Sequence, residues 1–110
     1  TMAGQNFPVI QDILTHVHAK GLSKVSSRDR IGEAIYNRGV YNSMLMVEAI
    51  RNAQRLTGKK VVNGEDVRRG MESLNITEAR LKEMGMEGFA APVQLSCGDH
   101  SGHNKVFVRR

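Results

Sequence analysis

The sequence predicts an α/β fold, mostly helical, with a β-hairpin at its C-terminal end. Three observations lead there. Apolar residues recur at helical spacing in four separate stretches. Two later runs, Gly88 to Cys97 and Lys105 to Arg110, have the apolar patterning of strands. Two strands beside four helices make a poor self-contained sheet, so the chain reads as part of a larger α/β unit. The second run is also where the sequence stops, which supports the same expectation: residues 1–110 form a single C-terminal fragment.

The first helix is expected from about Pro8 to Lys20. Ile10, Ile13, Leu14 and Val17 mark its buried face, Asn6 can cap its start, and Pro8 suits a first turn because its missing N–H would have no helical partner. Gly21 suits the left-handed position that ends a helix. Leu22 to Arg30 is a basic, Ser-rich loop. The longest helix is expected from about Ile31 or Gly39 to Leu56. Val40, Met44, Val47, Ile50 and Ala53 form its stripe, and Tyr41, Leu45 and Met46 widen it enough to demand burial on more than one side. Gly58 stops it. Asn63 followed by Glu65 and Asp66 looks like an N-cap with acids in the first turn, opening a short helix through Val67, Met71 and Leu74. Thr77 starts another helix through Met84, and Gly85 ends it. Gly98 to Asn104 is the turn of the expected hairpin.

The composition narrows the classes. At 110 residues the chain is one domain or a piece of one, and 40% hydrophobic with 25% charged residues fits a folded domain rather than disorder. No run approaches the roughly 18 apolar residues of a membrane span. A single cysteine, Cys97, excludes an internal disulfide. Thr1-Met2-Ala3-Gly4 has neither a basic nor an apolar leader region.

Four groups of residues invite chemistry. Cys97, His100 and His103 have zinc-ligand types at close spacing, but a structural zinc site needs four ligands, and the turn of a hairpin explains them better. A Cys–His nucleophile pair from the same residues lacks a recognisable oxyanion hole. His16 and His18 lie two apart on a helix and point to different sides. The net charge of +5 invites nucleic acid, yet acids interleave with the basic residues and aromatics are too few for a stacking platform. No metal and no cofactor is expected. The fourth group is Tyr36-Asn37-Arg38-Gly39-Val40-Tyr41, at the start of the longest helix. A helix N-terminus attracts an anion, and Arg38 can add a forked contact to a carboxylate. Taken alone, the segment is better explained by two core tyrosines whose hydroxyls reach backbone partners.

From that segment onward the sequence resembles a known family. Tyr36-Asn37-Arg38-Gly39-Val40-Tyr41 leading into Met44-Leu45-Met46-Val47-Glu48-Ala49-Ile50 resembles the late helix of type I periplasmic binding proteins, and more closely that of ABC-importer substrate-binding subunits of the Leu/Ile/Val-binding class. Val62 to Glu72, after Gly58-Lys59-Lys60, is similar to the family's next helix. Ile76 to Gly85 looks like an insertion of one subgroup, and Gly88 to Cys97 with Asp99-His100 resembles a Gly-Pro-Val strand and its acidic turn. In this chain Gly88 and Pro92 are separated, where the family often has them adjacent.

The resemblance implies a partial lobe of a two-lobed clamshell, with about 1–97 in one lobe and 105–110 a strand crossing toward the other. It implies a non-enzymatic, periplasmic solute-binding component of an ABC importer, exported with a signal peptide outside this stretch. Its cargo would be an amino acid, a branched-chain one in the best-known members, or a small carboxylate. It would be read by ABC permease subunits in the membrane. Tyr36 matches the position of an aromatic side chain entering the family's cleft. Asn37 and Arg38 are added as its neighbours, which makes Tyr36, Asn37 and Arg38 the candidate ligand-binding residues. Exposed strand edges invite dimerisation of such a fragment. The alternative function is a small basic nucleic-acid-binding module.

Overall fold

The computed structural model describes residues 1–103, 106 and 108. Helix α1 spans Pro8–Ile13 and runs on into a π-helical turn, Leu14–His18. A 3-10 turn covers Arg28–Arg30, and α2 covers Ala34–Thr57. Then come α3, Gly64–Glu72, strand β1, Asn75–Ile76, helix α4, Glu78–Glu83, and strand β2, Val93–Gln94.

The local punctuation behaves as its chemistry requires. Asn63 accepts from the Asp66 N–H at 2.9 Å while Asp66 accepts from the Asn63 N–H at 3.1 Å, a reciprocal cap that satisfies two otherwise orphaned donors. Thr77 caps α4 by accepting from Arg80 N–H at 3.2 Å. Gly58 ends α2 at φ +69°, a left-handed conformation that costs a residue with a Cβ about 1 kcal/mol or more.

Three expectations change. The first helix is capped at Phe7 without any side-chain bond, and Gln5 rather than Asn6 organises the entry: its amide donates to Ile31 O at 2.7 Å and Arg28 O at 3.0 Å. The π turn packs more residues into each turn and so reduces the rotation per residue; Ile10 and Leu14 stay buried while Val17 reaches solvent. On α2, Met44, Ala49 and Ala53 are buried, but Met46 and Val47 of the expected stripe are about half exposed. The helix is instead buried along two different directions, one per half. Its first half meets the N-terminal segment, and its second half meets α3.

The third change concerns the sheet. β2 is far shorter than Gly88 to Cys97, and it pairs antiparallel with Asn75–Ile76, with Asn75 opposite Gln94 and Ile76 opposite Val93. Leu95 N–H extends the ladder to Leu74 O at 2.8 Å. The expected return strand, Lys105 to Arg110, lies largely outside the described residues. The described residues form a set of helices with one two-stranded ribbon.

The core gathers around Phe89, Ile10, Leu14, Ile31 and Leu81, all fully buried. Phe7 meets Phe89 edge to face, with ring centroids 5.3 Å apart. The N-terminal residues close over this core. Met2 N–H donates to Phe89 O at 2.9 Å, and Gly4 N–H to Gly32 O at 2.7 Å.

The tightest packing lies between α2 and α3. A Cβ on Gly70 would stand 2.3 Å from Ala49 O and 2.9 Å from Ala53 N, both backbone atoms that have little freedom to retreat. Gly39, also on α2, faces open space. Gly70→Ala is therefore expected to destabilise the fold by about 1–3 kcal/mol or more, despite alanine's better helix propensity. Gly39→Ala is expected to stabilise it by up to about 1 kcal/mol. Urea unfolding followed by circular dichroism checks both, and opposite signs for two Gly→Ala changes on touching helices are the outcome to look for.

Candidate functional site

Tyr36, Asn37 and Arg38 occupy the second half of the first turn of α2 and the residues just beyond it. Consecutive helical residues diverge by about 100°, so three in a row cannot share one direction. Tyr36 is half-buried against the core and borders a cavity with Val25, Arg30 and Ile35. Asn37 is fully buried. Its amide donates to Met2 O at 2.9 Å and Gly4 O at 3.1 Å, which ties the N-terminal segment to α2. Arg38 is exposed and borders another cavity with Tyr41, Ala90 and His103. The three side chains thus go to three places, and the amide of Asn37 is already engaged inside the protein.

A second constellation lies on the far half of α2. Glu48 accepts a forked pair of bonds from Arg80 of α4, Nη2–Oε1 2.7 Å and Nε–Oε2 3.1 Å, and a third contact from Arg51 at 3.3 Å. The Arg80 hydrogen bonds, ahead of the opposing cost of burial, hold the Glu48 carboxyl below its ordinary value of 4.5. Beside it Asn52, nine-tenths buried, donates to Gly70 O at 2.9 Å and Ser73 Oγ at 3.0 Å, and it accepts from the Arg55 guanidinium. These side chains and β1 wall a groove of about 490 Å³.

The histidine loop is the third feature. The Asp99 carboxylate accepts from Ser101 N–H and Oγ, and the Ser96 and Asp99 backbones bond reciprocally, at 3.0 and 3.2 Å. The two ring systems leave the loop separately. His103 pairs with the Tyr41 hydroxyl, whose phenol is pushed up by burial and stays protonated, while His100 approaches Glu72 at 3.4 Å. Cys97 is exposed. Among the described residues no three His, Cys, Asp or Glu side chains converge on a metal position.

On and beside α3, several basic residues are paired with acids. Arg68 bridges Glu65 and Glu72, each at 2.6 Å, Arg69 reaches Glu65, and Lys59 reaches Asp66 at 3.3 Å. The cations of α3 are therefore interleaved with acids, as the sequence indicates.

No protein-family model matches the sequence. No curated protein matches it. A solved structure does: the crystal structure of an ABC transporter permease from the Pseudomonas fluorescens group, 41% identical, with a TM-score of 0.87 over 91% of this chain. The present chain spans about a quarter of that protein's length, 24%.

This finding corrects the reading from resemblance. The matching structure is described as a permease, a membrane subunit, and not as a periplasmic binding protein of the Leu/Ile/Val class. The solute-binding function falls with that identification, and so do the periplasmic location and the amino-acid cargo. The nucleic-acid alternative gains nothing from it. The link to ABC transporter systems stands. No described helix is long and apolar enough to cross a membrane.

Sequence reasoning missed the Glu48–Arg80 pair, because the two residues are 32 apart and nothing local joins them. A weak signal existed: Glu48 is the lone acid within an apolar stretch of α2, a position that calls for a cation. The pair has a definite pH signature. Because Glu48 is more acidic folded than unfolded, its contribution is complete above about pH 4.5 and is lost as pH falls through the folded value. Arg80→Met is expected to lower stability at neutral pH by about 1–2 kcal/mol and to flatten the loss of stability below about pH 4.5. Urea midpoints measured across that range for both proteins check it, and parallel pH curves would contradict the assignment.

Proposed function

We propose that this chain is an extramembranous part of a permease-type component of an ABC transporter, and that it carries out no bond-breaking chemistry of its own. The observation that carries the proposal is the match to the permease structure, 41% identical over nearly the whole of this chain. The surface supports a place outside the bilayer. Charged side chains lie along every helix longer than two turns, among them Arg38, Glu48, Arg51 and Arg55 on α2 and Glu65, Arg68 and Arg69 on α3. Each would cost about 2.5–3.5 kcal/mol at the centre of a membrane helix, so these helices lie beside the hydrocarbon and not within it.

The role that suits such a part is assembly. Its side chains are arranged as ion-pair networks and caps that fix the relative positions of α2, α3 and α4, leaving exposed apolar residues such as Ile35, Met46 and Val47 on one long helix. Exposed apolar side chains grouped on one helix mark a contact surface more often than a catalytic one.

The test uses the protein expressed from its own gene with an affinity tag. Cells are fractionated, and the membrane fraction is dissolved in mild detergent for purification. The tagged protein is expected in the membrane fraction, co-purifying with an ATP-hydrolysing subunit. Complete release by osmotic shock, with no ATPase partner recovered, overturns the proposal.

A further inference from the structure

We propose that the groove between α2 and β1 docks an extended acidic segment of a partner polypeptide, which adds as a third strand along the open edge of β1. The ladder geometry exposes that edge. In an antiparallel pair, directly opposed residues alternate between those that bond each other and those whose main-chain groups point outward. Leu95 N–H bonds Leu74 O, so Asn75 and Gln94, the next opposed residues, are an outward-pointing pair. On the β2 side this is visible directly, since Gln94 N–H turns outward to Gly102 O at 3.4 Å. On the β1 side the N–H and C=O of Asn75, which borders the groove, point away from β2, and among the described residues nothing bonds them. An unpaired edge is a template for another strand.

The walls select which strand. Arg51, Arg55 and Arg80 line the groove against a single carboxylate, Glu48. Arg80 is spent on Glu48. Arg51 makes one long contact with the same carboxylate and is otherwise exposed. Arg55 is anchored through one N–H to the buried Asn52, which orders its stem and leaves the rest of its fork for a ligand. An entering strand thus gains main-chain bonds from Asn75 and charge-assisted bonds from two guanidiniums to its own carboxylates. A second copy of this chain fits badly, because edge-to-edge pairing would bring its three arginines against these three. The expected dimerisation through strand edges is disfavoured here for the same reason.

The 110-residue chain is titrated with three fluorescent five-residue peptides of alternating sequence: Glu with Val, Lys with Val, and the Glu–Val peptide with its backbone amides N-methylated. Saturable binding of the first is expected. The second should not bind, and the third should bind at least tenfold more weakly, since methylation removes the strand's donors and keeps its charge. Hydrogen exchange at the Asn75 amide should slow about tenfold when the acidic peptide is bound. Arg51→Gln with Arg55→Gln, at two exposed positions, should weaken binding at least tenfold while circular dichroism shows the fold retained. Equal binding of the methylated peptide, full competition by inorganic phosphate, or dimerisation of the chain through this edge each overturns the proposal. None of these outcomes depends on the transporter reading.

Discussion

At Gly70 two helices touch backbone to backbone, and most of what lies beyond α3 takes its position from that contact. With no side chain at Gly70, α3 settles against Ala49 and Ala53 of α2, close enough for Asn52 to reach Gly70 O and Ser73 Oγ. The first of these bonds satisfies a carbonyl in the C-terminal turn of α3 from the side, where a helix usually has open carbonyls. The chain then leaves α3 in a fixed direction, and Leu74 enters the core as β1 begins. β1 in turn fixes β2, Leu95 and the loop that carries His100 and His103. A methyl group at one position would press on this whole sequence of contacts, because interiors packed at crystal density transmit a displacement rather than absorb it.

The second organising interaction is electrostatic, and it sorts the arginines by burial. Arg68, half exposed between Glu65 and Glu72, stiffens the surface of α3 and adds little to stability, since solvent screens such pairs. Arg80 is a third exposed and Glu48 much less, so their forked bond is drier and ties α4 to α2 across 32 residues. Arg55 has no carboxylate among its bonds and leans on a buried amide instead. Similar side chains thus serve as surface decoration, as an inter-helix bolt and as an anchored free donor. A net charge of +5, taken from composition alone, cannot distinguish these roles.

What the sequence made legible was local. The Asn63–Asp66 cap, the Thr77 cap and the left-handed Gly58 and Gly85 act within a few residues, and their chemistry can be read directly along the chain. What it hid was non-local. Local patterning suggests a following hairpin partner for Val93–Gln94 and gives no sign of the ladder that it makes back to Asn75–Ile76 across α4. Asn37 suited a ligand contact because a polar residue beside two aromatics suggests a site; its burial under Met2 and Gly4 depends on a segment more than 30 residues away. Gly70 passed unnoticed inside an amphipathic helix, where a glycine looks like a mere weakness. The family resemblance failed in another way. Ordered helical segments carry information about how a chain packs, and the structural match, itself to a protein described as an ABC transporter permease, preserves that packing. Packing of this kind does not by itself decide what the whole protein does.

The same distinction explains why the three candidate ligand residues at the start of α2 separate. A binding site needs side chains from several elements to converge, since neighbours on one helix diverge. Tyr36, Asn37 and Arg38 come from a single turn and serve three different contacts. The groove beside β1 draws Arg51 and Arg55 from α2, Arg80 from α4 and an open main-chain edge from β1, all facing one volume. Convergence of this kind follows from the α2–α3 contact, which turns the C-terminal half of α2 toward β1. The features that could recognise another molecule are therefore a product of the packing at Gly70, and they are found where the helices meet the ribbon rather than where the sequence is richest in aromatic and polar residues.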